Sequence, residues 1–350
     1  MNSVVERLKR LARHNIPTTA FFEVTHRCNA SCRYCYITDK STAQDLPTDK
    51  VTAIIDKLFD SGILDITITG GDPFCRTDIK EILKAVFSKD FFSVVVMTNG
   101  TLVQAEELAL LVANRSKLRK VCMTVFSHLP EENDNYFGVD GALSKILSTA
   151  DGLKKNGIEV RLALNVVDFN VTTFVESKRY FQGLGYDIPF HYPPVLYSSK
   201  GDTHYLDYLV SKEFYREFLD QLTDDQISKY VENVLKKKAW RRFCPNVCHS
   251  ITIDHQGNIR PCIPFLGMNL GNVLDRAPLS EILGRNATRN RILEIESMQV
   301  PQCDSCRYGE VCSMCPGPAF DAQEMAIRPF PAKCNSVFAL EEAAIQRGLI

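Results

Sequence analysis

Apolar and polar positions between residues 19 and 192 alternate in two rhythms. Short β-branched or aromatic runs are followed by segments with apolar residues every three or four positions. Thr19–Val24, Asp65–Thr69, Ser93–Met97, Lys120–Phe126, Ile158–Val166 and Ile188–Tyr192 read as strands. Lys50–Phe59, Asp78–Phe87, Glu106–Ala113, Leu143–Lys155 and Thr173–Gly183 read as helices, and a short amphipathic helix, Val4–Ala12, precedes them. Strands alternating with helices predict an α/β fold in which a parallel sheet is covered by helices. Six such units are too few for a closed eight-stranded barrel, so a partial, TIM-like (β/α)6 barrel is expected. Chemistry in such folds gathers at the carboxyl ends of the strands. Cys28–Cys35, Gly70–Pro73, Thr98–Gly100 and Thr124–Ser127 all fall there.

The texture changes further on. Leu196–His204 is polar and loop-like, and Lys212–Trp240 reads as helical, with Lys236-Lys237-Lys238 as its solvated, cationic end. From Phe243 onward short strands, turns and cysteines take over. Ile251–Asp254 and Asn258–Arg260, flanking His255-Gln256-Gly257, predict a hairpin.

Composition narrows the function. Hydrophobic residues make up 45% and charged residues 24% of 350 positions, as in a folded globular chain. A net charge of −1 provides no field for nucleic acid or an acidic membrane. The longest apolar runs, such as Phe91–Met97, are strand-sized, and Met1–Arg7 lacks the order of a signal peptide, so a cytoplasmic location is expected. Thirteen cysteines without an export signal argue against a disulfide framework and for metal or redox chemistry. Three lie at Cys28, Cys32 and Cys35 and eight between Cys244 and Cys334, while Cys75 and Cys122 stand apart and read as buried core thiols.

A structural zinc site is closed by four protein ligands. Cys28-x3-Cys32-x2-Cys35 supplies three, which suits a 4Fe–4S cluster with one iron left open. This spacing, with Tyr34 just before the last cysteine, resembles the radical S-adenosylmethionine (radical SAM) superfamily. The resemblance implies that SAM chelates the open iron and that Tyr34 lies near its adenine. Gly70-Gly71-Asp72-Pro73 matches the family's Gly-Gly-Glu-Pro motif, which holds the SAM amino group, with Asp72 in place of the more usual Glu. Glycines there let backbone approach a ligand closely. By the same resemblance Thr98, Asn99, Thr124 and Asn165 are expected contacts to SAM.

The later spacing, Cys244-x3-Cys248-x13-Cys262 and then Cys303-x2-Cys306-x5-Cys312-x2-Cys315-x18-Cys334, resembles the SPASM domain, which carries two auxiliary 4Fe–4S clusters. Carried over, the family's interleaved pattern gives one cluster to Cys244, Cys248, Cys262 and Cys315 and the other to Cys303, Cys306, Cys312 and Cys334. Relatives have three residues between the cysteines matching Cys312 and Cys315, and this chain has two. Paired Cys-x2-Cys motifs also bind zinc, which is the competing reading. The expected division is a radical SAM partial barrel over 1–195, a helical bridge over 196–242 and a SPASM domain over 243–350.

The resemblance implies an oxidoreductase. It would cleave SAM reductively to a 5′-deoxyadenosyl radical, abstract hydrogen and pass the surplus electron to the auxiliary clusters. Maturation of a ribosomally made peptide is the favoured reaction, and sulfatase-type or cofactor-biosynthesis maturation the alternative. Sulfatase maturases place an Asp after the cysteine matching Cys262, where this chain has Ile263. Expected partners are a peptide or protein substrate and an external electron donor such as flavodoxin or ferredoxin. Because only about twenty residues precede the first strand, either a separate leader-peptide-binding protein or direct docking of the peptide is expected. Two readings of another class are an iron–sulfur electron carrier without SAM chemistry and a zinc-stabilised binding module.

Overall fold

The β-branched runs form the strands that their pattern predicts. The computed structural model describes residues 17–32, 35–37, 39–166, 169–188, 211–237, 239, 243–244, 246–295, 299–321 and 323–350. β1 (Thr19–Thr25), β2 (Asp65–Gly70), β3 (Ser93–Thr98), β4 (Leu118–Val125) and β5 (Val160–Leu164) lie parallel and in chain order. Helices α1 (Thr48–Asp60), α2 (Ile79–Ser88) and α3 (Ala105–Ala113) make the first three crossovers. α4 (Pro130–Phe137) and α5 (Ala142–Lys155) make the fourth, and α6 (Phe174–Gly183) follows β5. Phe22, Ile66, Ile68, Val94, Val96 and Leu162 are fully buried, and Thr67 and Thr69, on the other face of β2, are buried as well, as in a parallel sheet with neither face open to water.

The helix Val4–Ala12 lies outside the described residues, as do Leu196–His204 and most of the strand Ile188–Tyr192. What is described beside β5 is a parallel bridge between Arg161 and Asp187, with the Leu162 amide donating to the Asp187 carbonyl at 3.1 Å.

The other edge of the sheet is extended from the cysteine-rich region. β6 (Ser250–Ile253) lies parallel to β1, Thr19 facing Ser250 and Phe22 facing Ile253, and β7 (Ile259–Arg260) returns antiparallel. The hairpin is the one read from the sequence, and Asp254 shapes its turn by accepting from the Gln256 and Asn258 amides, both at 2.9 Å. Its docking on β1 makes β1 an interior strand. Glu23, fully buried on β1, receives Arg260 of β7 at 2.5 Å, the Tyr36 hydroxyl at 2.8 Å and His26 Nε2 at 3.2 Å. Burial alone would raise the Glu23 carboxyl; the His26 hydrogen bond and the Arg260 charge more than offset it and hold it below the usual carboxylate range.

Further along, the predicted helix Lys212–Trp240 is divided. α7 (Lys212–Asp220) stops, and α8 (Asp224–Tyr230) restarts at Thr223, where Thr223 and Gln226 form a capping box. A π-helical stretch, Val231–Lys236, continues it, and Trp240 lies outside the described residues. α9 (Leu279–Gly284), α10 (Ala287–Leu293) and the hairpin of β8 (Phe320–Asp321) and β9 (Ala326–Ile327) lead to α11 (Pro331–Gln346). α11 packs on α7 and shares one core with the barrel. Lys212 and Arg216 both reach Glu342, at 2.7 and 2.8 Å. Among the described residues no helix is long and apolar enough to cross a membrane.

The loop after β1 packs against the end of β2 backbone to backbone. The Gly71 amide donates to the Thr25 carbonyl at 2.8 Å and the Asp72 amide to the Arg27 carbonyl at 2.9 Å. A Cβ on Gly70, whose φ is +145°, would collide with the Thr25 carbonyl oxygen, and one on Gly71 with the carbonyl oxygens of Arg27 and His26.

Gly71→Ala should therefore cost about 1–3 kcal/mol, the usual penalty of overpacking, read by urea unfolding. Wild-type stability would refute the close packing. Arg260→Ala should cost roughly 3 kcal/mol, the lower end for breaking a buried ion pair, because His26 and Tyr36 still serve Glu23. A change under about 1 kcal/mol would show that Arg260 does not neutralise Glu23.

Candidate functional site

β1 ends at Thr25, whose hydroxyl accepts from the Arg27 amide at 3.0 Å and turns the chain into the cysteine loop. The Ser31 amide donates to the Phe137 carbonyl at 2.8 Å, Lys40 Nζ donates to the Ala30 carbonyl at 3.0 Å, and Asn99 Nδ2 donates to Asn29 Oδ1 at 2.8 Å. These ties place Cys28, Cys32 and Cys35 on the wall of one cavity of about 260 Å³. All thirteen cysteines are free of disulfides. Burial raises the Cys28 thiol and pushes Cys32 up to about 12, neighbouring thiols adding to it. The Lys40 ammonium opposes this rise at both cysteines.

The ends of β2 to β5 complete the wall. Of the residues expected to contact SAM, Gly70, Gly71, Thr98, Asn99 and Thr124 line this cavity. Asp72 lies beneath it, fully buried, accepting from the Phe74 amide at 2.9 Å, the Thr98 hydroxyl at 2.7 Å and the Asn99 amide at 2.6 Å. It binds the end of β2 to the end of β3, and its burial raises its carboxyl. Pro73 is buried at the start of a 3-10 turn, Pro73–Cys75. Asn165 is beyond the wall, its carbonyl accepting from Asn170 at 2.8 Å, and Ala163 holds the place on β5. Tyr34 is outside the described residues, and Tyr36 lines the cavity.

Several wall residues escaped the sequence reading. Met97 and Cys122 face each other across β3 and β4, and Thr124 faces Ala163 across β4 and β5. The period of two that turns Thr124 to the cavity turns Cys122 there too, so it is more than a core thiol. Cys75 is not isolated either: burial pushes it up to about 11, and Asp72 and Cys28 lie within electrostatic reach. Phe137 comes from α4, a helix with few apolar residues that its Pro130 start, acidic first turn and left-handed Gly138 would have flagged. Ile263, the residue after Cys262, also reaches this wall.

The later thiols gather in two places. Cys303, Cys306, Cys312 and Cys334 line a second cavity of about 160 Å³ with Tyr308, Met314 and Phe338. Cys334 is pushed up to about 11 by burial, with Cys312, Cys303 and Cys306 adding to it. Cys262 is likewise raised to about 11, first by burial and then by Cys315 and Cys244. A bridge between Phe243 and Met314, with the Cys244 amide donating to the Met314 carbonyl at 3.0 Å, brings Cys244 alongside Cys315. Cys248 and Cys262 pack on one small core of Phe265 and Ile292. Cations attend both groups: Arg289 is within reach of Cys248, and Lys333 of Cys312 and Cys334.

Among the described residues, the group of three or more His, Cys, Asp or Glu whose donor atoms all fall within 4.8 Å is His26, Asp39 and His255. The thiol sets are thus spread more widely than one zinc ion needs, whose Zn–S bonds of about 2.3 Å set tetrahedral sulfurs about 3.8 Å apart. Wider spacing fits a polynuclear cluster, in which each sulfur binds its own iron.

Comparison with known proteins agrees with this geometry. The radical SAM superfamily profile matches residues 22–183, and the SPASM profile, an iron–sulfur cluster-binding domain, matches 244–316. The antilisterial bacteriocin subtilosin biosynthesis protein AlbA of Bacillus subtilis (strain 168) is 30% identical over 77% of this chain, which spans 62% of AlbA's length. An AdoMet-dependent heme synthase of Nitratidesulfovibrio vulgaris is 24% identical over 86% of this chain and 87% of its own. The structure of native anSMEcpe with bound AdoMet and Kp18Cys peptide superposes with a TM-score of 0.69 over 95% of this chain and 98% of that one, at 18% identity, which shows the shared fold. Residues 22–183 are therefore a radical SAM superfamily domain and residues 244–316 a SPASM domain.

Proposed function

We propose that this chain is a radical SAM oxidoreductase that modifies a ribosomally made peptide. Cys28, Cys32 and Cys35 would hold a SAM-binding 4Fe–4S cluster. Cys244, Cys248, Cys262 and Cys315 would hold one auxiliary cluster, and Cys303, Cys306, Cys312 and Cys334 the other. The observation that carries this reading is the cavity in which three thiols meet the carboxyl ends of β2 to β5. The division into 1–195, 196–242 and 243–350 follows the same reading.

When bound, the cluster supplies an electron and SAM supplies the carbon radical that takes hydrogen from an unactivated C–H bond. The chain's part is placement. Gly70 and Gly71 leave bare backbone on the wall, where carbonyls receive an ammonium group. Asp72 and Asn99 fix the β3 end against the cysteine loop. The Lys40 ammonium favours the charged form of Cys28 and Cys32. Met97, Met123, Phe137 and Ile263 keep water out. Thr124, on the wall, and Asn165 and Tyr34 nearby in the chain stay as candidate SAM contacts.

A peptide substrate is supported by AlbA, named for bacteriocin biosynthesis, and by anSMEcpe, solved with a peptide bound. Ile263 offers no base at the position where sulfatase maturases carry one, which favours crosslinking or related C–H functionalisation. An external one-electron donor and a separate leader-binding protein complete the proposed partners. One observation favours a second reading, tetrapyrrole modification: the heme synthase match extends over 87% of that protein, against 62% for AlbA.

Anaerobic reconstitution should give roughly 12 irons per chain, and roughly 8 in Cys32→Ala and in Cys315→Ala. Near-zero iron with bound zinc would end the enzyme reading. Under reductant the wild type should cleave SAM to 5′-deoxyadenosine and Cys32→Ala should not. Loss of a hydrogen pair from a precursor peptide, seen by mass spectrometry, would support the peptide reading; a Soret shift on mixing with an iron porphyrin, without peptide change, would favour the second.

A further inference from the structure

Tyr36 also borders a third cavity, of about 730 Å³, on the side of the β6–β7 hairpin. His26 enters it just ahead of Cys28, Asp39 just beyond Cys35, and His255 from the hairpin turn. His26 Nδ1 lies 2.9 Å from Asp39 Oδ1, and His255 Nε2 lies 3.9 Å from Asp39 Oδ2. The two imidazole rings are tilted 36° to each other, with centroids 3.8 Å apart. His255 is 5% exposed, and neither ring nitrogen has a hydrogen-bond partner or touches solvent.

That arrangement is costly as it stands, because a buried imidazole with nothing to bind forfeits its solvation. His26 stands between two carboxylates, Nε2 toward Glu23 and Nδ1 toward Asp39. A divalent cation among the three gives the buried His255 imidazole the partner that no protein group supplies. The carboxylate behind His26 is also the usual support of an imidazole that binds metal.

We propose that His26, Asp39 and His255 form a binding site for a divalent transition-metal ion, separate from the cysteine sets. Two imidazoles and a carboxylate suit Zn²⁺, Fe²⁺ or Mn²⁺, and the cavity leaves room for water in the remaining positions. The ion ties the two ends of the cysteine loop to the hairpin. Its role is to hold the loop in place, and it takes no part in the chemistry at the thiols. Nothing in this assignment depends on what substrate the protein modifies.

Mn²⁺ tests it with the least interference, since thiolates bind this hard ion poorly. The anaerobically reconstituted protein, clusters in place, is titrated with Mn²⁺ while free ion is read by electron paramagnetic resonance. One saturable ion per chain is expected. Its affinity should fall at least about ten-fold in His255→Ala and in Asp39→Asn, with iron content unchanged. Mn²⁺ should also raise the unfolding midpoint of the wild type and leave that of Asp39→Asn in place. The Asp39 side chain is 45% exposed, so its conservative replacement leaves the fold intact and decides the matter if His255→Ala fails to fold. No saturable ion in the wild type, or equal binding by wild type and Asp39→Asn, overturns the site.

Discussion

A single buried carboxylate, Glu23, governs how this molecule is assembled. It sits on β1 with no access to water and is served by the cysteine loop through His26 and Tyr36 and by the hairpin through Arg260. A charge so placed is tolerable only when every partner is present, because its desolvation cost is large. The shape of the cysteine loop and the docking of the cysteine-rich region are therefore two expressions of one electrostatic requirement. Tyr36 carries that requirement to the thiol cavity directly, and Arg260 does so through Ile263, whose carbonyl it approaches at 3.4 Å.

The order of strands and crossovers was legible because a sheet buried on both faces leaves long apolar runs between amphipathic helices. β1 to β5 match their expected positions to within a few residues. The glycine pair was legible in place but not fully in reason. Bare backbone for a ligand was the expected purpose, and the structure adds a second: Gly70 and Gly71 have no room for a side chain because the cysteine loop lies on them. Asp72, expected as a ligand contact, also joins β2 to β3. Cys122 could have been placed on the cavity by counting in twos from Thr124.

What escaped the sequence is mostly non-local. Nothing in Ser250–Ile253 announces that it will lie beside Thr19–Phe22. The grouping of Cys315 with Cys244 and Cys262 was expected from the resemblance, but the bridge from Phe243 to Met314 that brings Cys244 alongside Cys315 was not. The division of the helical segment at Thr223 was a local signal passed over, since Thr223 and Gln226 stand at capping-box separation. α4 carries its cues at its ends, Pro130 and Gly138, and little apolar periodicity between them.

The placement of β6 has a consequence for biosynthesis. Glu23 and Arg260 are 237 residues apart, so β1 leaves the ribosome long before the strand that will cover its outer side exists. Until then the nascent sheet presents a raw edge of unpaired amides and carbonyls, beside an acidic group still waiting for its counterion. Pairing across so long a loop is slow, and such an edge is where growing chains stick to one another. The first half of this polypeptide therefore keeps an open sheet edge until the second half supplies the strand that closes it.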